Sequence, residues 1–206
     1  MSTLGSRRAT SKAELLKIRS EAAIALTSMG LLENKRDLLL ARGMELLQQS
    51  VQLRQQLTKR WSDIEQMWEE CIAMEGVERL SRLADEQKAL PELKGEEGGW
   101  MSVRLAHFVL EQPELEPFGA VFDCGLCPDR VRGRLADALP DLQQLMNIET
   151  NVRRIAISLK RCQRQINALS HIILPELEGE KVRIARGLEE REREALFQVK
   201  RMRGGQ

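Results

Sequence analysis

The sequence predicts a mainly α protein. Its N- and C-terminal segments pair as a long antiparallel two-helix coiled coil, around a small middle insert that contains a short β-hairpin. Three observations carry this. Residues 11–72 and 140–201 each keep apolar residues at steps of three and four, the period of a helix. No cluster of turn residues divides either stretch. Between them, residues 73–139 change texture, with glycines and prolines bunched together. At a rise of 1.5 Å per residue each long stretch would reach about 90 Å, a length suited to a rod, lever or axle.

In the first stretch the stripe runs through Leu15, Ile18, Ala22, Ala25, Met29, Leu32 and Leu39. It continues through Met44, Leu47, Val51, Leu57, Trp61, Ile64, Trp68 and Ile72. Its drift near Arg36 and Gly43 makes the seam irregular. Thr10 or Ser11 caps the start, with Glu14 three residues past Ser11 as a capping box. Gly30 and Gly43 interrupt good helix formers, through close approach of a neighbouring helix or through simple tolerance. Lys35, Arg36 and Asp37 break the stripe and form either a solvated face or a partner contact.

In the second stretch Leu142, Leu145, Ile148, Val152, Ile155, Leu159 and Cys162 lead to Ile166, Leu169, Ile173 and Leu177. Ile184, Leu188, Leu196 and Val199 extend the pattern. Pro140 and Asp141 read as its first turn, where a missing N–H does no harm. Pro175 lies deep inside and predicts a kink in a continuous helix. Glu189, Glu190, Arg191, Glu192, Arg193 and Glu194 form a dense charge run, with Glu189 four residues before Arg193. A two-helix pair buries too little apolar surface to offset easily the ordering of so many residues, so partners are expected along its length.

The middle segment predicts a turn or mobile loop at 92–100, around Gly95, Gly98 and Gly99. Trp100–Leu110 alternates enough for a strand, and Gly119–Phe122 reads as a second one, with Pro113 and Pro117 between. Met101, Phe108 and Phe122 are expected in a core. Cys124 and Cys127 make a lone CxxC, half of a zinc site, and two ordinary thiols near a turn are the leading reading. Cys71 and Cys162 belong to the long helices, and His171 lies beside the apolar stripe.

Composition narrows the function. Of 206 residues 42% are apolar and 31% charged, which excludes compositional disorder. Aromatic residues are 3% with no Tyr, and net charge is +1, so a nucleic-acid partner is not expected. Both ends are locally basic: Arg7, Arg8, Lys12, Lys17 and Arg19 oppose Glu14 alone, and Lys200, Arg201 and Arg203 lie near the other end. Helix-end electrostatics or docking on an acidic partner would each account for this. No apolar run suits direct membrane insertion, no signal-peptide core opens the chain, and free thiols fit a cytoplasmic location. No phosphate loop, dinucleotide turn or catalytic constellation is present, so no catalytic residue, cofactor or metal is expected.

The C-terminal stretch then resembles a known family. Gln165-Ile166-Asn167-Ala168-Leu169, Ile173-Leu174-Pro175-Glu176-Leu177, Leu188 through Glu194 and Phe197-Gln198-Val199-Lys200-Arg201 follow its "VNALE…IP.L…I…LEERERE…F.LK" pattern. Gly30-Leu31-Leu32-Glu33-Asn34-Lys35-Arg36-Asp37 is similar to its "GLLKxKRD". Both patterns resemble those of the D subunits of V-type (archaeal/vacuolar-type) ATPases. Glu33 stands where Lys is usual and Ser170 where Glu is usual, and the middle segment carries no matching motif. The resemblance implies a non-catalytic central-stalk rotor, in ATP synthesis or in ATP-driven ion pumping. Its partners would be the catalytic A and B subunits, the small F subunit of the stalk, and the funnel-shaped C or d subunit on the membrane ring. The protein would then be peripheral to the membrane through that complex. Lys35, Arg36, Asp37, Arg191, Arg193, Lys200 and Arg201 become candidates for contact with the catalytic hexamer. A free-standing coiled-coil adaptor or tether is the alternative.

Overall fold

The structure, a computed structural model, describes residues 9–86, 92–111 and 125–203. Its elements in order are α1 (Lys12–Glu75), α2 (Val77–Glu86), β1 (Glu92–Trp100), β2 (Val103–Glu111), α3 (Cys127–Ala168), a π-turn (Leu169–Ile173) and α4 (Leu174–Arg203). Two compact units share these elements: residues up to 38 with those from 159 onward, and residues 39–158.

The first unit begins at a cap. The Glu14 amide donates to Ser11 Oγ at 3.2 Å, and the Leu15 amide donates to the Ser11 carbonyl at 3.0 Å. The early turns of α1 then run against the late turns of α4. Ile18, Ala25, Leu177 and Ile184 form one buried cluster, flanked by Leu15, Ala22, Leu169, Leu174 and Leu188. Arg191 donates to the Thr10 carbonyl, Lys12 pairs with Glu192 at 3.0 Å, and the Cys162 thiol donates to the Leu32 carbonyl at 3.1 Å. Low residue numbers meet high ones in order, so the two helical segments in this unit are antiparallel.

Pro175 lies in the first turn of α4, inside the continuous helical path that the sequence predicts. The helical path continues through it, and the irregularity is the π-turn just before it, where the Leu174 amide donates to the Leu169 carbonyl. The buried positions explain the extra residue. Ile155 and Cys162 lie seven apart, as do Leu177 and Ile184. The step from Cys162 to Leu177 is one residue longer than two such repeats. A π-turn absorbs one inserted residue and returns both sets to the same face.

The second unit holds the rest of α1, then α2, the hairpin and most of α3. Gly76 ends α1 with φ of +79°, and its amide donates to the Ile72 carbonyl at 2.9 Å. Ile64, Cys71, Leu80, Leu83, Val131 and Ala138 form the buried cluster where α1, α2 and α3 meet. Arg60 pairs with Asp141 and Arg54 with Glu149 across α1 and α3. Gly43 faces Ile155 Cγ2, which would lie 3.4 Å from an added Cβ, so close helix approach accounts for this glycine. Gly30 has no such neighbour, which leaves tolerance as its reading.

Several expectations are corrected here. Residues 92–100 form a strand rather than a turn, because they pair antiparallel with β2 from Glu92↔Glu111 to Trp100↔Val103. The chain reverses at Met101 and Ser102, with φ of 47° and 68°, a two-residue turn of the twist that suits a hairpin. Met101 therefore sits exposed at the tip instead of in a core. The strand expected at Gly119–Phe122, with Pro113, Pro117, Phe122 and Cys124, lies outside the described residues. α3 begins at Cys127, not at Pro140, which sits inside the helix. Leu39, Leu57 and Ile64 are buried as the stripe expects, but Met44, Leu47, Val51, Trp61 and Trp68 are exposed, and Leu46, Leu53 and Cys71 are buried in addition. The buried positions keep mainly to a seven-residue step, and a three-four stripe drifts off such a line.

Candidate partner-binding surfaces

α3 holds the hairpin with a row of polar side chains one turn apart. Asn147 accepts from the Phe108 amide at 2.6 Å and donates to the Phe108 carbonyl at 3.0 Å. Asn151 does the same at Ala106, at 2.7 and 3.0 Å. Gln143 accepts from the Leu110 amide at 3.1 Å. Arg154 donates to the Arg104 carbonyl at 2.9 Å and pairs with Glu97 at 3.1 Å. The carboxamide matches a peptide group in donor and acceptor, so these side chains stand in for a third strand along β2. The motif reading above misses this row, although its spacing of four residues on a helix is a readable signal.

The charged candidates all lie in the first unit. Arg36 bonds to its own neighbour, with Nε donating to Asp37 Oδ1 at 2.9 Å. That hydrogen bond, with the attraction of the same carboxylate, raises the guanidinium above its ordinary value. Lys35 precedes this pair on α1. Arg191 reaches the Thr10 carbonyl, and Arg193 lies within 3.9 Å of Glu189 and 3.6 Å of Glu190. Lys200 and Arg201 occupy the last turn of α4 with Arg203, where positive charge meets the negative end of the helix dipole favourably.

The end of α4 has a second property that charge counting overlooks. Every residue from Glu189 to Arg203 is exposed, including Leu196 (63%), Phe197 (76%) and Met202 (81%). These apolar side chains lie on one exposed helix end, beyond the last turn that packs in the buried cluster with α1. Among the described residues no group of three or more His, Cys, Asp or Glu could hold a metal. Cys127 is a free thiol at the start of α3, while Cys71 and Cys162 are buried free thiols on α1 and α3. His171 lies on the exposed side of the π-turn.

These features define a mainly helical protein that braces a β-hairpin and presents apolar helix faces to solvent. None of its described helices is long and apolar enough to cross a membrane. The chain belongs to the ATP synthase D-subunit family, whose profile matches residues 14–204. It is 26% identical over 201 residues to the A-type ATP synthase D subunit of Methanopyrus kandleri, covering 92% of this chain and 83% of that protein. It is 24% identical over 198 residues to the V-type ATP synthase D subunit of Thermotoga neapolitana, covering 95% and 96%. A V-type ATP synthase D subunit of Treponema pallidum, the one numbered 2, is 28% identical over 199 residues, covering 95% and 93%.

Proposed function

We propose that this chain is the non-catalytic central-stalk rotor subunit of an A/V-type rotary ATPase. It transmits torque between the catalytic A/B hexamer and the ion-translocating ring of the membrane, and is held at the membrane only through that complex. The family match across residues 14–204 carries this reading. The seven-residue spacing of buried positions supports an antiparallel coiled coil of the terminal helices. Such a pair resists twist because rotating one helix against the other would draw buried side chains out of their contacts.

The apolar, basic end of α4 is the part that suits the hexamer. Lys35, Arg36 and Asp37, with Arg191, Arg193, Lys200 and Arg201, would meet the A and B subunits. An asymmetric shaft presents a different face to each catalytic site as it turns. Each site then favours a different nucleotide state through differential contact. The small F subunit and the funnel-shaped subunit on the ring would bind further along the shaft.

Copurification with a tag on this chain, followed by observation of single complexes with a bead on the stalk, tests the proposal. Recovery of A and B subunits and ATP-driven rotation of the bead are expected. A homodimer that retains neither subunit would favour a free-standing adaptor instead.

A further inference from the structure

The two edges of the hairpin are treated differently. β2 is closed by the α3 side chains at Arg104, Ala106, Phe108 and Leu110. β1 has no such cover: eight of its nine residues are exposed, and β2 is its sole strand neighbour among the described residues. Because the even-numbered β2 residues face α3, the strands bond through the odd ones and their partners at 92, 94, 96, 98 and 100. The backbone groups of Leu93, Gly95, Glu97 and Gly99 therefore face outward.

Open edges are normally blunted by proline, a bulge or charged side chains, and the acidic residues of β1 guard it only against a like-charged strand. β1 contains no proline, its register is unbroken, and its lysine, Lys94, is held by Glu111 at 2.6 Å. Two of its glycines have no explanation among the described residues. Gly98 and Gly99 lie outside the left-handed region, and an added Cβ at either would meet nothing within 4 Å. Glycine weakens a strand, and one of its uses there is to let another backbone come close.

We propose that the outer edge of β1 is a strand-addition site for an extended segment of another protein, with basic residues at alternate positions. The charge of β1 sets that preference: Glu92 and Glu96 share one face of the strand with Lys94, whose ammonium Glu111 already holds, while Glu97 is paired with Arg154. Nine residues at 3.3 Å each offer about 30 Å of ladder. The site rests on the reading that this chain works inside a complex, but not on which partner supplies the strand.

Hydrogen exchange on the full chain, alone and in the complex that copurifies with it, tests the edge directly. The amides of Leu93, Gly95, Glu97 and Gly99 should exchange freely in the isolated chain and at least about tenfold more slowly in the complex. Gly99→Pro removes an outward amide without touching a β1–β2 bond, and should abolish the protection while the isolated chain keeps its melting temperature. Equal exchange in both states overturns the proposal. So does protection already present in the isolated chain, which would mean that its own residues or a second copy cover the edge. A nine-residue Lys/Val peptide and its Glu/Val counterpart give a second arm that needs no rotary complex. Perturbation of the four amides by the basic peptide alone supports the site, and no effect or an equal effect of both overturns it. Absence of a copurified complex would sink the rotor reading, and the peptides would still decide this one.

Discussion

Asn147 and Asn151 each hold a backbone N–H and C=O of β2 that would otherwise lack partners. Removing one carboxamide leaves two backbone groups at a half-buried edge. Asn147→Ala should therefore cost about 2–3 kcal/mol in denaturant unfolding, and Asn147→Asp should not rescue it, because a carboxylate has no N–H to give the Phe108 carbonyl. Gly76 sits at φ +79°, where a Cβ is strained even though the space around it is open. Gly76→Ala should lower stability by about 1 kcal/mol, read as a melting shift of about 2–4 °C. The hairpin tip runs the other way. Met101 and Ser102 occupy positive-φ positions that Asn and Gly prefer, so Met101→Asn with Ser102→Gly should raise stability by a few tenths to about 1 kcal/mol.

At the scale of elements, the π-turn Leu169–Ile173 is a one-residue correction between two runs of buried positions. Deleting Ser170 should let α3 and α4 join as regular helix with Leu177 and Ile184 still facing α1. The melting temperature of that variant should hold or rise. Deleting Glu180 instead would turn Ile184 and Leu188 by about 100° away from their partners, and should unfold the first unit in thermal melts monitored by circular dichroism. Equal effects of the two deletions would remove the frame argument. Sequence periodicity reveals both long helices but neither this turn nor α2. A π-turn of five residues has no compositional mark, and the ten-residue α2 is masked by the glycines that set the texture of the insert. The start of α3 is hidden for a related reason. Pro140 marks a first turn by statistics, but a helix tolerates it inside when packing by Val131, Ala138 and Ile148 holds the flanking turns.

At the scale of the whole molecule, the exposed apolar residues at the end of α4 belong to no buried cluster among the described residues. A chain ending at Arg193 keeps Leu177, Ile184 and Leu188 and loses Leu196, Phe197, Val199 and Met202. Its melting temperature should stay within about 2 °C of the full chain, while its affinity for the A and B subunits should fall at least about tenfold in a pull-down titration. An unchanged affinity would move the contact with the hexamer elsewhere. The basic candidates Lys200 and Arg201 belong to the segment removed, so Lys200→Glu with Arg201→Glu separates charge from apolar contact. If charge carries the docking, that pair alone reproduces the loss.

Apolar spacing by itself determined that the chain builds two long helices around a different middle segment, because helical period is a local property that survives in one dimension. The motifs of residues 30–37 and 165–201 carried the family, since they are contiguous strings. The buried Ile148, Ile155, Cys162, Ile166, Leu177 and Ile184 lie on the stripe read from the sequence, whereas part of the buried face of α1 was decided only in three dimensions. A shift of two positions, invisible in a three-four stripe, moved burial from Met44 and Val51 to Leu46 and Leu53. The hairpin was settled by tertiary structure too. Gly95, Gly98 and Gly99 have no strand preference of their own, and β1 exists because β2 pairs with it and α3 holds β2 in place.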